Sequence, residues 1–175
     1  LAAFPLLFLH LNFPADSPTW TQATPAVWWH QFDFGFQFLY HSGNDPDKIL
    51  FWSRIPMILV LLFLGWFMFI WSKKLFGNIA ALLTLFLFAF FPIFLANGRL
   101  VTTDIGAALG VIISTYFWLR FLKNPNAKSI FLAGIMFGIA MLLKFSLILL
   151  LPFFFVITLV YVCLKVEESK KHLKY

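Results

Sequence analysis

The stretch NGRLVTTD, residues 97–104, places three polar residues and two charges between long apolar runs. An ionisable side chain at the centre of a bilayer costs about 2.5 to 3.5 kcal/mol on insertion scales, so a carboxylate beside such runs is a functional candidate. Asp104 is therefore the first candidate site residue. A second interpretation stays open, because Thr102, Thr103 and Asp104 are residue types that satisfy the free N–H groups of a first helical turn.

The composition of the whole chain is that of a membrane protein. Hydrophobic residues make up 62% of its 175 residues and charged residues only 11%, against roughly 25% charged in soluble domains. The predicted fold class is all-α, a polytopic transmembrane helical bundle. The net charge of +6 comes from basic residues beside apolar runs, which favours orientation signals over nucleic-acid binding. The single Cys163 excludes a disulfide framework and a cysteine-based metal site.

Uncharged runs between charges predict about five membrane spans. The runs are 55–72, 75–98, 105–119, 129–143 and 145–164. The last two are separated by a single charge, Lys144, and one helix over both would be about 54 Å long, against a hydrocarbon core of about 30 Å. The sequence therefore predicts two crossings with a hinge near Lys144.

Basic residues predict how these spans are oriented. If Lys73 and Lys74 are cytoplasmic, five alternating spans place nine of the 13 basic residues on that side. The nine are Lys73, Lys74, Arg120, Lys123, Lys128, Lys165, Lys170, Lys171 and Lys174. Residues 1–47 are then an aromatic-rich extracytoplasmic loop with interfacial helices, residues 48–164 are the transmembrane region, and residues 165–175 are a cytoplasmic basic tail.

The predicted outer face collects three cations around one carboxylate. Arg54, Arg99 and Lys144 lie at span boundaries near the depth of Asp104. Cations bind phosphate electrostatically, and arginine can do so with two parallel hydrogen bonds, so the group suits a phosphate-bearing lipid. A nearby carboxylate can take a proton from an acceptor or hold its hydroxyls. The alternative is that Arg54 and Arg99 only anchor helix ends among headgroups.

Small residues predict close helix packing. Gly106 with Gly110, and Gly134 with Gly138, form two G-x-x-x-G pairs on consecutive spans. This pattern lets membrane helices approach closely. We expect the two pairs to lie at helix contacts, and contact between the two pairs is one such arrangement.

Several segments resemble membrane glycosyltransferases of the GT-C type. They are RIPM at 54–57, ANGRLVTTD at 96–104, GIAMLLKF at 138–145 ahead of Pro152, and the loop GFQFLYHSGND at 35–45. Within that type, the segments are most similar to the dolichyl-phosphate-mannose protein mannosyltransferases and the bacterial aminoarabinose transferases. The resemblance covers most of the chain, and its order and topology agree with the charge count.

This resemblance implies an enzyme that moves a sugar from a polyprenyl-phosphate donor to an acceptor at the outer face, in the plasma membrane of a prokaryote. It implies that Asp104 is the second of the family's acidic positions. From this match together with the charge pattern of the outer face, we expect Asp104 to be a catalytic residue and Arg54, Arg99 and Lys144 to be substrate-binding residues. The first acidic position has no match in the chain, so we expect it to precede Leu1. The chain is then part of a longer protein and inactive alone. No cofactor beyond the donor lipid and no metal site is identified.

Two other functions remain open on the residues themselves. A transporter or flippase for a lipid-linked or anionic solute would use the same charges, but its charges are expected near the midplane between broken helices. A noncatalytic scaffold would use the long aromatic loop as its interaction surface. A matching acidic pair in upstream sequence would favour the enzyme over both.

Overall fold

The computed structural model describes residues 1–22 and 29–172, with side chains up to Lys165. All regular secondary structure in these residues is helical, which confirms the predicted all-α class. Contacts divide the chain into two compact units. The first comprises Leu1–Leu59 with Gly98–Val101, and the second comprises Val60–Asn97 with the described residues from Thr102 onward.

The first unit contains the helices of the aromatic loop and the start of the first long helix. Its elements are a 3-10 helix at Pro5–Phe8, α1 (Pro18–Thr21), α2 (His30–Phe36), a π-helical turn at Gln37–His41, and α3 (Pro46–Phe76), which continues into the second unit. Asp45 caps the start of α3, because its side chain accepts a hydrogen bond from the Lys48 N–H at 3.2 Å. Gly43, with φ of 72°, makes the turn before it.

Aromatic rings and one amide side chain hold this loop together. The Phe13 ring lies 5.1 Å from Trp20 and 5.3 Å from Phe34, measured between ring centroids. The Asn44 side chain accepts from the Asn12 N–H and donates to the Asn12 carbonyl, at 2.8 and 2.9 Å. The loop therefore has a packed structure of its own, although it is poor in regular helix.

The second unit contains the remaining apolar helices. They are the rest of α3, α4 (Asn78–Phe90), α5 (Pro92–Asn97), α6 (Asp104–Lys123), α7 (Ala127–Leu143), a 3-10 helix at Phe145–Leu149, and α8 (Leu150–His172). Each of the five predicted runs lies in helices. Three reach the length and composition of a membrane span: Pro46–Phe76, Asp104–Lys123 and Phe145–Lys165. The other two form shorter apolar helices, Asn78–Phe90 and Ala127–Leu143.

Backbone geometry explains why the second run is divided. Gly77 precedes α4 with φ of 88°, a conformation that L side chains rarely adopt. At the other end Phe91 is extended and Pro92 begins α5. Proline lacks the N–H that would continue the hydrogen-bond ladder of α4, so the run becomes two helices.

The core of the second unit lies between α3 and α6. Leu64, Ile105 and Leu109 are buried there against one another. Trp118 joins α6 to α8, since its ring stacks on Phe154 at 4.9 Å and its indole N–H donates to the Thr158 hydroxyl at 3.1 Å. A partly buried indole N–H is stabilised by such a partner, so this contact fixes the side-chain position.

The helices α6 and α7 pack against each other over an extensive contact. Gly106 faces Leu143, and Gly110 faces Ala140 so closely that an added Cβ would lie 3.0 Å from the Cβ of Ala140. Close approach through the first glycine pair is thus confirmed.

The arrangement in which the two glycine pairs contact each other is wrong. Cβ atoms built at Gly134 and Gly138 meet nothing within 4 Å. On α7, Ala140 and Leu143 instead provide the surface that contacts α6. Both glycines are exposed on the described surface of α7.

Candidate active site

The structure brings two predicted site residues together. The Lys144 ammonium donates a hydrogen bond to Asp104 Oδ1 at 2.8 Å, which makes an ion pair between residues 40 apart in sequence. Both side chains stay accessible, with 38% of Lys144 and 60% of Asp104 exposed. An exposed ion pair of this kind contributes only about 0 to 1 kcal/mol to stability, so the fold does not depend on it.

Two helix ends position this pair. Asp104 is the first residue of α6, and Lys144 directly follows the last residue of α7. The two helices are joined by a short connection, after which Asn126 and Ser129 form a capping box at the start of α7. Since α6 and α7 are packed along their length, the start of one lies beside the end of the other.

Lys144 lies where the helical backbone is interrupted between α7 and the next helix, which confirms the predicted hinge. Its φ and ψ are −156° and 119°, an extended conformation between α7 and the 3-10 helix that follows. Its N–H still donates to the Ala140 carbonyl at 3.1 Å. The backbone is therefore held while the side chain leaves the helical path and extends toward Asp104.

One interpretation of residues 102–104 is that their side chains cap the start of α6, but the Thr103 hydroxyl does not do so. Thr103 occupies the N-cap position but makes no side-chain cap hydrogen bond. Asp104 instead accepts from Lys144. The Thr102 hydroxyl is buried and has no hydrogen-bond partner among the described residues, a state that costs about 1 to 3 kcal/mol. The helix dipoles still favour both charges, an anion at a helix start and a cation at a helix end.

The pair keeps unused hydrogen-bonding capacity. A lysine ammonium has three N–H donors, and one of them is directed at Asp104, so the others are free to meet phosphate oxygens. An ionised carboxylate has two oxygens, and Asp104 Oδ2 can accept from a hydroxyl while Oδ1 holds Lys144. The arrangement therefore offers phosphate binding and hydroxyl activation within one small group.

The two predicted arginines belong to the other unit. Arg54 is half-buried on α3, and Arg99 is exposed in the turn after α5. Neither forms an ion pair within the described part of the chain. Their role in substrate binding stays a prediction. The described side chains also contain no group of three or more His, Cys, Asp or Glu residues that could hold a metal ion.

Comparison with known families decides the class of protein. A family model for dolichyl-phosphate-mannose-protein mannosyltransferases matches residues 48–175. The chain belongs to this family. No curated protein and no solved structure matches it. Membership in the mannosyltransferase family identifies the chain as part of a membrane glycosyltransferase of the GT-C type. It also confirms the resemblance seen in segments 54–57, 96–104 and 138–145. The family also implies a lipid-linked sugar donor and a membrane environment.

Sequence reasoning placed Lys144 at the depth of Asp104 but did not predict that their side chains form an ion pair. A signal for the pair did exist. Asp104 begins one span of this mannosyltransferase-family chain and Lys144 ends the next, so an antiparallel hairpin places both at the same boundary. Opposite charges at the same end of adjacent helices are candidates for an ion pair.

Proposed function

We propose that the full-length protein transfers a sugar from a polyprenyl-phosphate donor to an acceptor at the extracytoplasmic face of a prokaryotic plasma membrane. The observation that carries this proposal is the accessible Lys144–Asp104 ion pair between the end of α7 and the start of α6. Lys144 binds the donor phosphate. Asp104 acts on the acceptor.

The proposed reaction needs few protein groups. An acceptor hydroxyl attacks the anomeric carbon, its bond to the sugar forms, and the bond from the sugar to the phosphate oxygen breaks. Asp104 Oδ2 holds the attacking hydroxyl or takes its proton. The polyprenyl phosphate departs as an anion, and the Lys144 ammonium stabilises its charge through the donors that Asp104 does not use.

The position of the pair supports this reading over a transport pathway. Both charges lie at helix ends, whereas a solute pathway through the bilayer places them between broken helices near the midplane. The outer face is favoured because the opposite end of α6 carries Arg120 and Lys123, as expected for a cytoplasmic boundary. We expect the 175 residues alone to be inactive, because they contain no match to the first acidic position of the family.

The test compares donor binding and turnover in the full-length enzyme. Lys144→Met keeps the aliphatic stem and removes the charge, so the protein should fold while donor affinity falls roughly 10- to 150-fold, the value of a charged hydrogen bond. Lys48→Met is the matched control, since Lys48 is not one of the nine basic residues predicted to be cytoplasmic and its ammonium is not part of the pair. Unchanged donor affinity in folded Lys144→Met would overturn the phosphate role.

Asp104→Asn separates the two roles within the pair. The amide cannot take a proton, so turnover should fall by more than donor binding. Because Lys144 then loses its carboxylate partner, its field at the phosphate strengthens and donor affinity should be equal to or tighter than that of the wild type. A variant with full turnover and weakened donor binding would contradict the assignment of Asp104 to the acceptor.

A further inference from the structure

A second charged feature lies at the other end of α6. An open cavity of about 290 Å³ is lined by Lys74 from α3 and by Arg120 and Lys123 from α6, with Trp71 and Tyr116 beside them. All of these residues belong to the second unit. Lys123 is 19 residues after Asp104 on one helix, or about 28 Å along its axis, so the cavity is separate from the candidate active site.

The described side chains of the second unit include a single carboxylate, and it lies far from this cavity. Residues 60–97 and 102–165 contain one acidic residue, Asp104, which is paired with Lys144 at the far end of α6. None of the three cations forms an ion pair within the described side chains. Lys74 instead lies over the Tyr116 ring, 5.8 Å from its centroid. Converging cations repel one another, and a bound anion would relieve this repulsion.

Compensation of helix dipoles explains only part of the cluster. Lys74, Arg120 and Lys123 lie in last turns, where a cation is favourable. Lys128, however, lies in the first turn of α7, which contains no acidic residue. It lines an adjoining cavity of about 360 Å³ that shares Arg120 with the first. A helix start favours an anion, so a cation there is the opposite of what the dipole predicts.

An apolar groove continues from the basic cavity along α3 and α6. This groove, of about 520 Å³, shares Lys74 and Tyr116 with the cavity and is otherwise lined by side chains such as Phe67, Ile113 and Phe117. Phe67 and Ile113 precede Lys74 and Tyr116 by about one or two helical turns on their helices, in the direction of the span interior. A charged pocket that opens into an apolar groove fits a molecule with an anionic head and a hydrocarbon chain.

We propose that this cavity and groove bind an anionic phospholipid. Lys74, Arg120 and Lys123 contact the headgroup phosphate, Trp71 and Tyr116 lie at the level of the interface, and an acyl chain occupies the groove. Basic pockets between membrane helices bind anionic headgroups in this way. A lipid should bind this site more tightly than free phosphate, because its acyl chain fills the apolar groove and inorganic phosphate does not. The site is independent of sugar transfer.

The test measures lipid bound to the purified protein by native mass spectrometry. Protein in nanodiscs that contain phosphatidylglycerol should retain this lipid, and protein in phosphatidylcholine should retain less. Each neutralised cation should weaken retention about fivefold, so Lys74→Gln with Arg120→Gln should weaken it roughly 30-fold. Lys73→Gln is the matched control, since it is exposed on the same last turn, carries the same charge and does not line the cavity.

The outcomes separate the possible ligands. Loss of phosphatidylglycerol in the double variant, with retention in Lys73→Gln, supports the proposal. Equal loss in both shows only a general charge effect and overturns it. Displacement of the lipid by inorganic phosphate shows a free-anion site and overturns the lipid assignment. Bound phosphatidylglycerol should also raise the melting temperature of the wild type and of Lys73→Gln, and not that of the double variant.

Discussion

Replacing Gly110 with alanine tests whether the close approach of α6 and α7 stabilises the fold. The added Cβ would lie 3.0 Å from Ala140 Cβ, 3.1 Å from Ala140 Cα and 3.0 Å from a terminal carbon of Leu147. Unstrained carbon atoms lie about 3.5 to 4.0 Å apart, so the helices must separate by roughly 0.5 Å or more. The Leu147 end can rotate away, but the Ala140 backbone can move only with its helix.

Overpacking of this kind costs about 1 to 3 kcal/mol. Alanine also gains up to about 1 kcal/mol in helix propensity over glycine, so a matched variant is needed. Gly138→Ala is that control, because its Cβ meets nothing within 4 Å on the neighbouring helix. The propensity gain is common to both variants and cancels, which leaves Gly110→Ala less stable than Gly138→Ala by about 1 to 3 kcal/mol.

The assay is equilibrium unfolding in mixed micelles as the fraction of denaturing detergent is raised, followed by tryptophan fluorescence and helical circular dichroism. The midpoint fraction of denaturing detergent for Gly110→Ala should be equal to or lower than that of the wild type. It should be lower than that of Gly138→Ala. Equal midpoints for the two variants would refute the packing argument, because they would show that Ala140 offers no resistance to the added methyl group.

Three further predictions concern the fold and the topology. Trp118→Phe keeps a ring for stacking but loses the hydrogen bond to Thr158, so unfolding free energy should fall by about 1 kcal/mol, whereas unaltered stability would show that this bond contributes nothing. Asn126→Ala removes the cap of α7 and should also cost about 1 kcal/mol in the same unfolding assay. In a Cys163→Ala background, Lys170→Cys should react with thiol reagents only from the cytoplasmic side, and labelling from outside would reject the five-span topology.

Local features of the fold were predictable from neighbouring residues. Asp45 before a proline is a strong helix start, and the structure has α3 begin there. The single charge in the long apolar stretch marked the hinge at Lys144, because one helix of that length exceeds the bilayer thickness. These predictions succeed because the cause lies within a few residues of the effect.

Features that depend on a partner helix were predicted less well. The two glycine pairs look alike in sequence, but only Gly106 and Gly110 face a neighbour in the described structure. Which side of α7 faces α6 depends on tertiary packing, which a spacing pattern cannot specify. The pairing of Lys144 with Asp104 has the same origin, since 40 residues separate two charges that only the α6–α7 hairpin brings to 2.8 Å.

The number of full-length spans also depends on more than uncharged length. Gly77 and Pro92 are uncharged, so a count of uncharged residues treats 75–98 as one continuous run. In the structure these two residues limit α4 to Asn78–Phe90. Five apolar runs were correctly located in helices, while three of them reach spanning length as continuous helical segments.

Photocrosslinking of the donor lipid tests the central claim most directly. A polyprenyl phosphate with a photoreactive group next to its phosphate would be bound to the full-length enzyme, irradiated, and mapped by peptide mass spectrometry. The account predicts label at the start of α6 near Asp104 and in the α7–α8 hinge at Lys144, with competition by unlabelled donor. Label confined to the cavity of Lys74 and Arg120, or label that unlabelled donor does not reduce, would contradict the assignment of the Lys144–Asp104 pair to the donor site.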